Sequence, residues 1–209
     1  MRSGVATDVV VATPDNEIVE ACSKFGCRAI FTSINHQSGT DRIAEVAESL
    51  VAEVYINVQG DEPLISQETI KACAKPLLDR SELEMSSCFT DCPEDEVENP
   101  AAVKVVLDHA GFALYFSRYP IPYPRNPRSS SVKKHIGIYG FRRETLKRFS
   151  AWQQADIERT ESLEQLRFLY QGVRIFMSEG QETPVAVDTP EQADLARQYL
   201  ARLIADSHC

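Results

Sequence analysis

Apolar residues in this chain fall into short runs that alternate with amphipathic stretches, the pattern of strands followed by helices. Val9-Val10-Val11-Ala12 marks a strand within 8–13, and Ile18, Ala21, Cys22 and Phe25 then recur at helical spacing over 16–25. Gly26 supplies a C-terminal stop and 28–31 a second short strand, which completes a β-α-β unit. A polar, glycine-bearing loop over 32–42 leads into a helix whose Ile43, Val46, Ala47 and Leu50 form one apolar face. Val54-Tyr55-Ile56-Asn57-Val58 reads as the next strand, of the kind buried in a parallel sheet. It ends abruptly in Gln59-Gly60-Asp61-Glu62-Pro63, and the rest of the chain is organised around that loaded strand end.

Further along, the spacing predicts a helix over 67–80 shortened or bent by Pro76, a strand over 85–90 and a solvated acidic loop over 91–98. A hairpin follows, with strands 102–107 and 113–116 about the turn 108–111. Pro120, Pro122, Pro124 and Pro127 argue against regular structure after it. Arg125, Arg128, Lys133 and Lys134 make that segment either a surface loop or a basic arm that reaches an anionic substrate or a second subunit. A strand is expected over 135–141, then a helix from Thr160 with Leu163, Leu166 and Tyr170 inward, and a strand over 173–177. Thr189, Pro190 and Gln192 open a last helix with Ala196, Tyr199, Leu200 and Leu203 aligned.

With 209 residues and 43% hydrophobic content, the chain can fill the core of one α/β domain. A net charge of -9 argues against a nucleic-acid or membrane-surface binder, so an enzyme of this charge that handles anions must bring local cations or a metal. No apolar run reaches bilayer length and the first residues lack a signal-peptide core, so the cytoplasm is the expected compartment. The cysteines show no C-x-x-C spacing and read as reduced, mostly buried thiols.

Asp61 stands at a strand's carboxyl end, where open α/β sheets bind ligands. Its alternative reading is a cap for the helix near Gln67, although Ser66 already stands directly before that helix. Asp188 ends a second apolar run, 185–187, and Thr189 relieves it of capping. Two strand-end carboxylates without a histidine or cysteine at ligand spacing suit Mg²⁺ better than zinc. The loop of Gln37, Ser38, Gly39 and Thr40 gathers donors at a helix start that can hold a base or phosphate; equally, Ser38 and Asp41 satisfy an ordinary capping box. His36 alone points to nothing, His135 alone reads as structural, Glu164 as a surface ion pair with Arg167, and Glu161 as a first-turn acid on its helix dipole. With no Ser-His-Asp or Cys-His nucleophile and no phosphate-loop or dinucleotide glycine motif, metal-assisted displacement on a nucleotide is the chemistry left.

Over nearly its whole length the chain resembles the bacterial 3-deoxy-manno-octulosonate cytidylyltransferases. The likeness is carried by the segments 35–42 (Asn-His-Gln-Ser-Gly-Thr-Asp-Arg), 57–63 (Asn-Val-Gln-Gly-Asp-Glu-Pro), 103–106, 113–118, 135–140, 163–167 (Leu-Glu-Gln-Leu-Arg) and 187–191, taken in that order. The resemblance implies an α/β nucleotide-diphosphosugar transferase fold, a Rossmann-like three-layer sandwich with a mixed sheet and a small antiparallel dimerisation subdomain. On that reading 1–209 is one cytidylyltransferase domain, with 100–141 a small β subdomain and arm within it. It further implies a homodimer that uses CTP, 3-deoxy-manno-octulosonate (Kdo) and Mg²⁺ for lipopolysaccharide synthesis. Asp61 and Asp188 would hold the metal, and Gln37, Ser38, Gly39 and Thr40 would face cytidine. Gln59, Arg118, His135, Tyr139, Glu161 and Glu164 would contact substrate, Arg118 by pairing with the sugar's carboxylate.

Family members begin with a strand and a loop of the type Ile-Pro-Ala-Arg-x-x-Ser-x-Arg-Leu-Pro-Gly-Lys-Pro-Leu, then a helix, roughly 30 or more residues in all. This sequence starts after such a unit, so it is expected to be an N-terminally truncated copy with unpaired strand edges and poor catalysis. A non-catalytic homologue that binds sugar or nucleotide, and a transferase for another acidic sugar such as amino-Kdo or a nonulosonate, are the alternatives. Val11-Ala12-Thr13-Pro14 also departs from the family's Val-Ala-Thr-Asp, which moves the acid to Asp15.

Overall fold

A computed structural model describes residues 4–187 and 189–206 of the chain. The first unit is β1 (Val10–Thr13), α1 (Asn16–Lys24) and β2 (Arg28–Phe31), with the two strands parallel and in register. Asp15 caps α1 by accepting from the Glu17 N–H, so the acid displaced by Pro14 is spent on the backbone. Gly26 closes the helix at φ 67°, a conformation that only glycine adopts without cost.

The main sheet has six strands among the described residues: β3 (Val54–Val58), β4 (Met85–Asp91), β5 (Lys104–Leu107), β6 (Ala113–Ser117), β7 (Lys133–Arg142) and β8 (Ile175–Glu179). β7 is its axis. One edge of β7 pairs with β4; the other pairs with β5 near its start and with β3 toward its end. Only β4 and β8 run parallel in this sheet, so it is mixed, and β3 is antiparallel to β7 rather than a member of a parallel array. The β5–β6 hairpin continues this sheet through β7. Among the described residues β1 pairs only with β2 and β3 only with β7, and α2 (Gly39–Ser49) packs against both β1 and β3.

Alternation along β7 sorts the core into layers, since successive side chains face opposite sides. Tyr139 and Phe141 join the larger cluster, with Ala44 and Ala47 of α2, Leu146 and Phe149 of α4 (Arg143–Ala151), and Leu166 and Phe168 of α6 (Gln165–Tyr170). Ile136 and Ile138 face the other way, onto Cys73 of α3 (Gln67–Asp79). Helix, sheet and helices form the three layers. α3 runs through Pro76 to Asp79, so the proline neither shortens the helix nor moves its end. Tyr170 is exposed, unlike the inward position that its spacing predicts, and of the aligned face of the last helix only Ala196 is buried, with Tyr199, Leu200 and Leu203 exposed.

Gly140 sits where β7 touches α3 and β4: a Cβ there would meet Ser86 Oγ and, at 2.8 Å, Leu77 Cδ1. Gly140→Val is therefore expected to destabilise the fold by about 1–3 kcal/mol, the usual cost of overpacking a core. The shift of the urea midpoint at constant m-value measures it, and an unchanged midpoint would show that the layer can yield.

Candidate active site

The site is assembled from the starts of two helices and the end of one strand. Ser38 caps α2 by accepting from the Asp41 N–H at 3.2 Å, and its own hydroxyl donates to Asp41 Oδ2 at 2.9 Å. That reciprocal bonding opens the helix with Gly39 and the buried Thr40 held against the sheet. A Cβ on Gly39 would stand 3.4 Å from Gln59 Oε1 and 3.7 Å from Asn57 Nδ2, so the helix start lies close over the end of β3. From the other side, the Thr40 hydroxyl donates to Glu164 Oε1.

That contact replaces the expected surface pair of Glu164 with Arg167. Thr160 does not begin one continuous helix. α5 (Asp156–Glu161) ends at Ser162, whose φ of 52° is left-handed, and α6 restarts at Gln165. The break turns Glu164 toward α2, and Arg167 pairs instead with buried Glu158. Burial raises the Glu164 pKa, against the hydrogen bond from Thr40 that lowers it.

Beneath Glu164 lies a polar floor. Tyr139 donates its hydroxyl to Gln165 Oε1 at 3.1 Å, and burial pushes that phenol well above its usual pKa. Ser87 gives its hydroxyl proton to the Ile138 carbonyl at 2.7 Å and so accepts from His135 Nε2 at 2.8 Å. His135 lies between the rings of Phe116 and Tyr139, and burial lowers its pKa to about 3. Two buried donors of this floor, Asn57 Nδ2 and Gln165 Nε2, have no partner among the described residues, the state of groups kept for water or a ligand. In the sequence both stand only as motif positions, Asn57 in 57–63 and Gln165 in 163–167, with no role attached. Their signal, an amide inside an apolar strand and one beside a site glutamate, is weak without the tertiary fold.

Because folded His135 loses its proton far more readily than the unfolded chain does, unfolding takes up a proton between pH 6.5 and about 3. Its stabilisation is complete above pH 6.5 and is lost as pH falls through that window. The slope approaches about 1.4 kcal/mol per pH unit for one proton. Denaturant titrations of wild type and His135→Gln between pH 7 and 4 should differ by that slope, and parallel curves would refute the buried neutral imidazole.

Glu161 closes α5 rather than opening a helix, so a first-turn dipole role does not apply. Its carboxylate accepts from Ser117 Oγ at 2.7 Å and the Arg118 N–H at 2.9 Å. Arg118 in turn donates from Nε to the Glu161 carbonyl, from Nη1 to Pro100 and from Nη2 to Ser162, at 2.7, 2.9 and 3.2 Å. Lys133 and Lys134 lie within β7, paired with Asp91 and with Glu96 and Glu182, so neither is the free arm cation of the sequence reading.

Asp61 is exposed just past β3, and its carbonyl accepts the Val187 N–H at 2.8 Å. Among the described residues its carboxylate takes no hydrogen bond or ion pair, and Ser66, not Asp61, caps α3. Asp188 lies outside the described residues. Among those residues there is no cluster of three or more histidine, cysteine or acidic side chains, the arrangement of a closed protein cage. An exposed carboxylate suits an ion that keeps most of its waters rather than one held in a protein cage. Gln37 is exposed and lines a cleft of about 550 Å³ with His36, Asp41, Trp152 and Arg159.

Comparison with known proteins converges on one chemistry. The cytidylyltransferase family model matches residues 1–175. A 3-deoxy-manno-octulosonate cytidylyltransferase of Koribacter versatilis is 46% identical over 191 residues, which cover 91% of this chain and 72% of the relative. That of Escherichia coli is 40% identical over 205 residues, 98% of this chain and 83% of the relative. A solved CTP complex of CMP:2-keto-3-deoxy-manno-octonic acid synthetase superposes with a TM-score of 0.90 at 38% identity, over 96% of this chain and 85% of that one. 4-Diphosphocytidyl-2C-methyl-D-erythritol synthase from Anaerococcus prevotii, at a TM-score of 0.62 and 12% identity over 96% and 84% of the two chains, shares the fold.

Proposed function

The chain belongs to the cytidylyltransferase family and, within it, to the 3-deoxy-manno-octulosonate cytidylyltransferases, and we propose that the polar cluster between α2 and α6 is where their reaction takes place. That reaction transfers the cytidylyl group of CTP to Kdo, giving CMP-Kdo and pyrophosphate for lipopolysaccharide biosynthesis. One observation carries the placement: Thr40 and Glu164, 124 positions apart, join the helix start assigned to the nucleotide to the helix start assigned to the sugar.

In this reading Gln37, Ser38, Gly39 and Thr40 meet cytidine, and Gln59 and Tyr139 line the sugar side. Neutral His135 holds Ser87 and keeps the floor uncharged. Arg118 has five N–H donors, of which backbone carbonyls take three, so donors remain for the sugar's carboxylate. Glu161 orients Arg118 through its main chain. Asp61 and Asp188 would hold Mg²⁺, which when bound supplies positive charge to the triphosphate and to the α-phosphorus as the sugar's anomeric hydroxyl attacks. The enzyme works in the cytoplasm as a homodimer; exposed Leu114 on β6, with Tyr119 and Tyr123 after it, supports a contact through that edge.

Pyrophosphate release from CTP, Kdo and Mg²⁺ tests the assignment. It is measured on this 209-residue chain and on the same chain preceded by a strand and Arg/Lys loop of the family pattern. Release with Kdo in preference to amino-Kdo or a nonulosonate is the expected result. Silence with every acidic sugar in both forms would overturn it.

A further inference from the structure

Lys104 is one of the largest side chains wholly buried among the described residues. It sits on β5 opposite Ser117 and Lys134, and among the described residues no carboxylate pairs with it. Its Nζ donates at 2.9 Å to the Asn99 carbonyl, which also accepts the Ala102 N–H at 3.2 Å. Burial lowers the lysine's pKa; nearby Cys92 and Glu98 raise it in part, Arg118 lowers it and Glu161 raises it. A buried lysine without an acidic partner is a costly element of a fold, so its one bond calls for an explanation.

The next carbonyl in the chain provides it. Pro100 accepts from Arg118 Nη1 at 2.9 Å, so Lys104 and Arg118 grip consecutive carbonyls of one turn. The other side of the guanidinium is fixed by the Glu161 and Ser162 carbonyls at the end of α5. Arg118 thus bridges two segments. The α5 side is tied back through the Glu161 carboxylate on Ser117 and the Arg118 N–H. On the 99–100 side the side-chain tie is Lys104.

We propose that Lys104 is a positioning residue for Arg118: it pins the 99–100 turn so that the guanidinium is presented in one orientation to the carboxylate of the acidic sugar. The proposal rests on the reading of Arg118 as the sugar-carboxylate contact.

Lys104→Met keeps the bulk of the side chain and removes the charge and the bond. Its KM for Kdo is expected to rise roughly tenfold, the low end of what a hydrogen bond to a charged group is worth, while the KM for CTP stays unchanged. Lys104→Gln, which retains an N–H donor, should recover part of that loss. In an Arg118→Ala background Lys104→Met should add nothing, because the group it positions is gone. Hydrogen exchange at the Ala102 and Arg118 amides should quicken in Lys104→Met. An equal rise in both KM values with a lowered Tm, or a full further loss in the Arg118→Ala background, would overturn the proposal by making Lys104 a core filler or an independent contact. Wild-type silence with CTP and Kdo would fault the assigned reaction instead. The exchange rates then decide the clamp by themselves: quickened exchange upholds it and unchanged exchange overturns it.

Discussion

Asp61→Asn is expected to lower kcat for pyrophosphate release by a factor on the order of 10²–10³, the usual loss when one aimed electrostatic contact to a phosphoryl transition state is removed. Asparagine keeps the shape of the side chain and removes its charge. The carboxylate is exposed and makes no hydrogen bond or ion pair among the described residues, so folding stability should move by no more than about 0.5 kcal/mol. Loss of activity at unchanged Tm is therefore the signature, accompanied by a higher Mg²⁺ concentration for half-maximal rate. A variant that retains a third or more of wild-type kcat at low Mg²⁺ would remove Asp61 from the metal site and leave β3's end without its assigned role.

The second large effect falls on stability. Arg167 and Glu158 are each at most 5% exposed and form a two-pronged ion pair at 2.8 and 2.5 Å, with the guanidinium 4.1 Å above the Phe149 ring. Glu158 also accepts the Ala155 N–H at 3.2 Å, so one carboxylate both starts α5 and ties it to α6. Glu158→Ala leaves a cation buried without a counter-ion, which costs about 3–5 kcal/mol. For a chain of this length that corresponds to a fall in Tm of roughly 6–20 °C. Glu158→Leu combined with Arg167→Met should recover most of the loss, since the cost lies in the orphaned charge. Because α5 and the turn after it carry Glu161 and Glu164, the single variant should also weaken substrate binding before the protein unfolds. A Tm change under 2 °C for Glu158→Ala would mean that solvent reaches the pair.

Local chemistry was legible in the chain itself. Ser38 with Asp41, Ser66 with Thr69, and Thr189 with Gln192 are caps that a sequence announces, because the partner lies three residues away on a backbone whose geometry is already settled. The same holds for most of the order of strands and helices and for the loaded end of β3, although the pattern predicts nothing for α4 and residues 185–187, expected as a strand, form none, and the ordered motifs named the family.

Tertiary structure decided what those signals serve. Spacing paired Glu164 with Arg167, yet the left-handed Ser162 splits the helix and hands each to a partner elsewhere, Thr40 and Glu158. Lys133 and Lys134 read as free cations until β7 brought them beside Asp91, Glu96 and Glu182. Asn57 and Gln165 stand inside family motifs with no role attached, and Ser87 carries no mark at all, because a polar residue inside an element acquires meaning only from what faces it across the layers. Short-range bonds depend on backbone geometry that neighbouring residues dictate, whereas contacts across more than a hundred positions depend on strand order and layer packing, which no local pattern encodes.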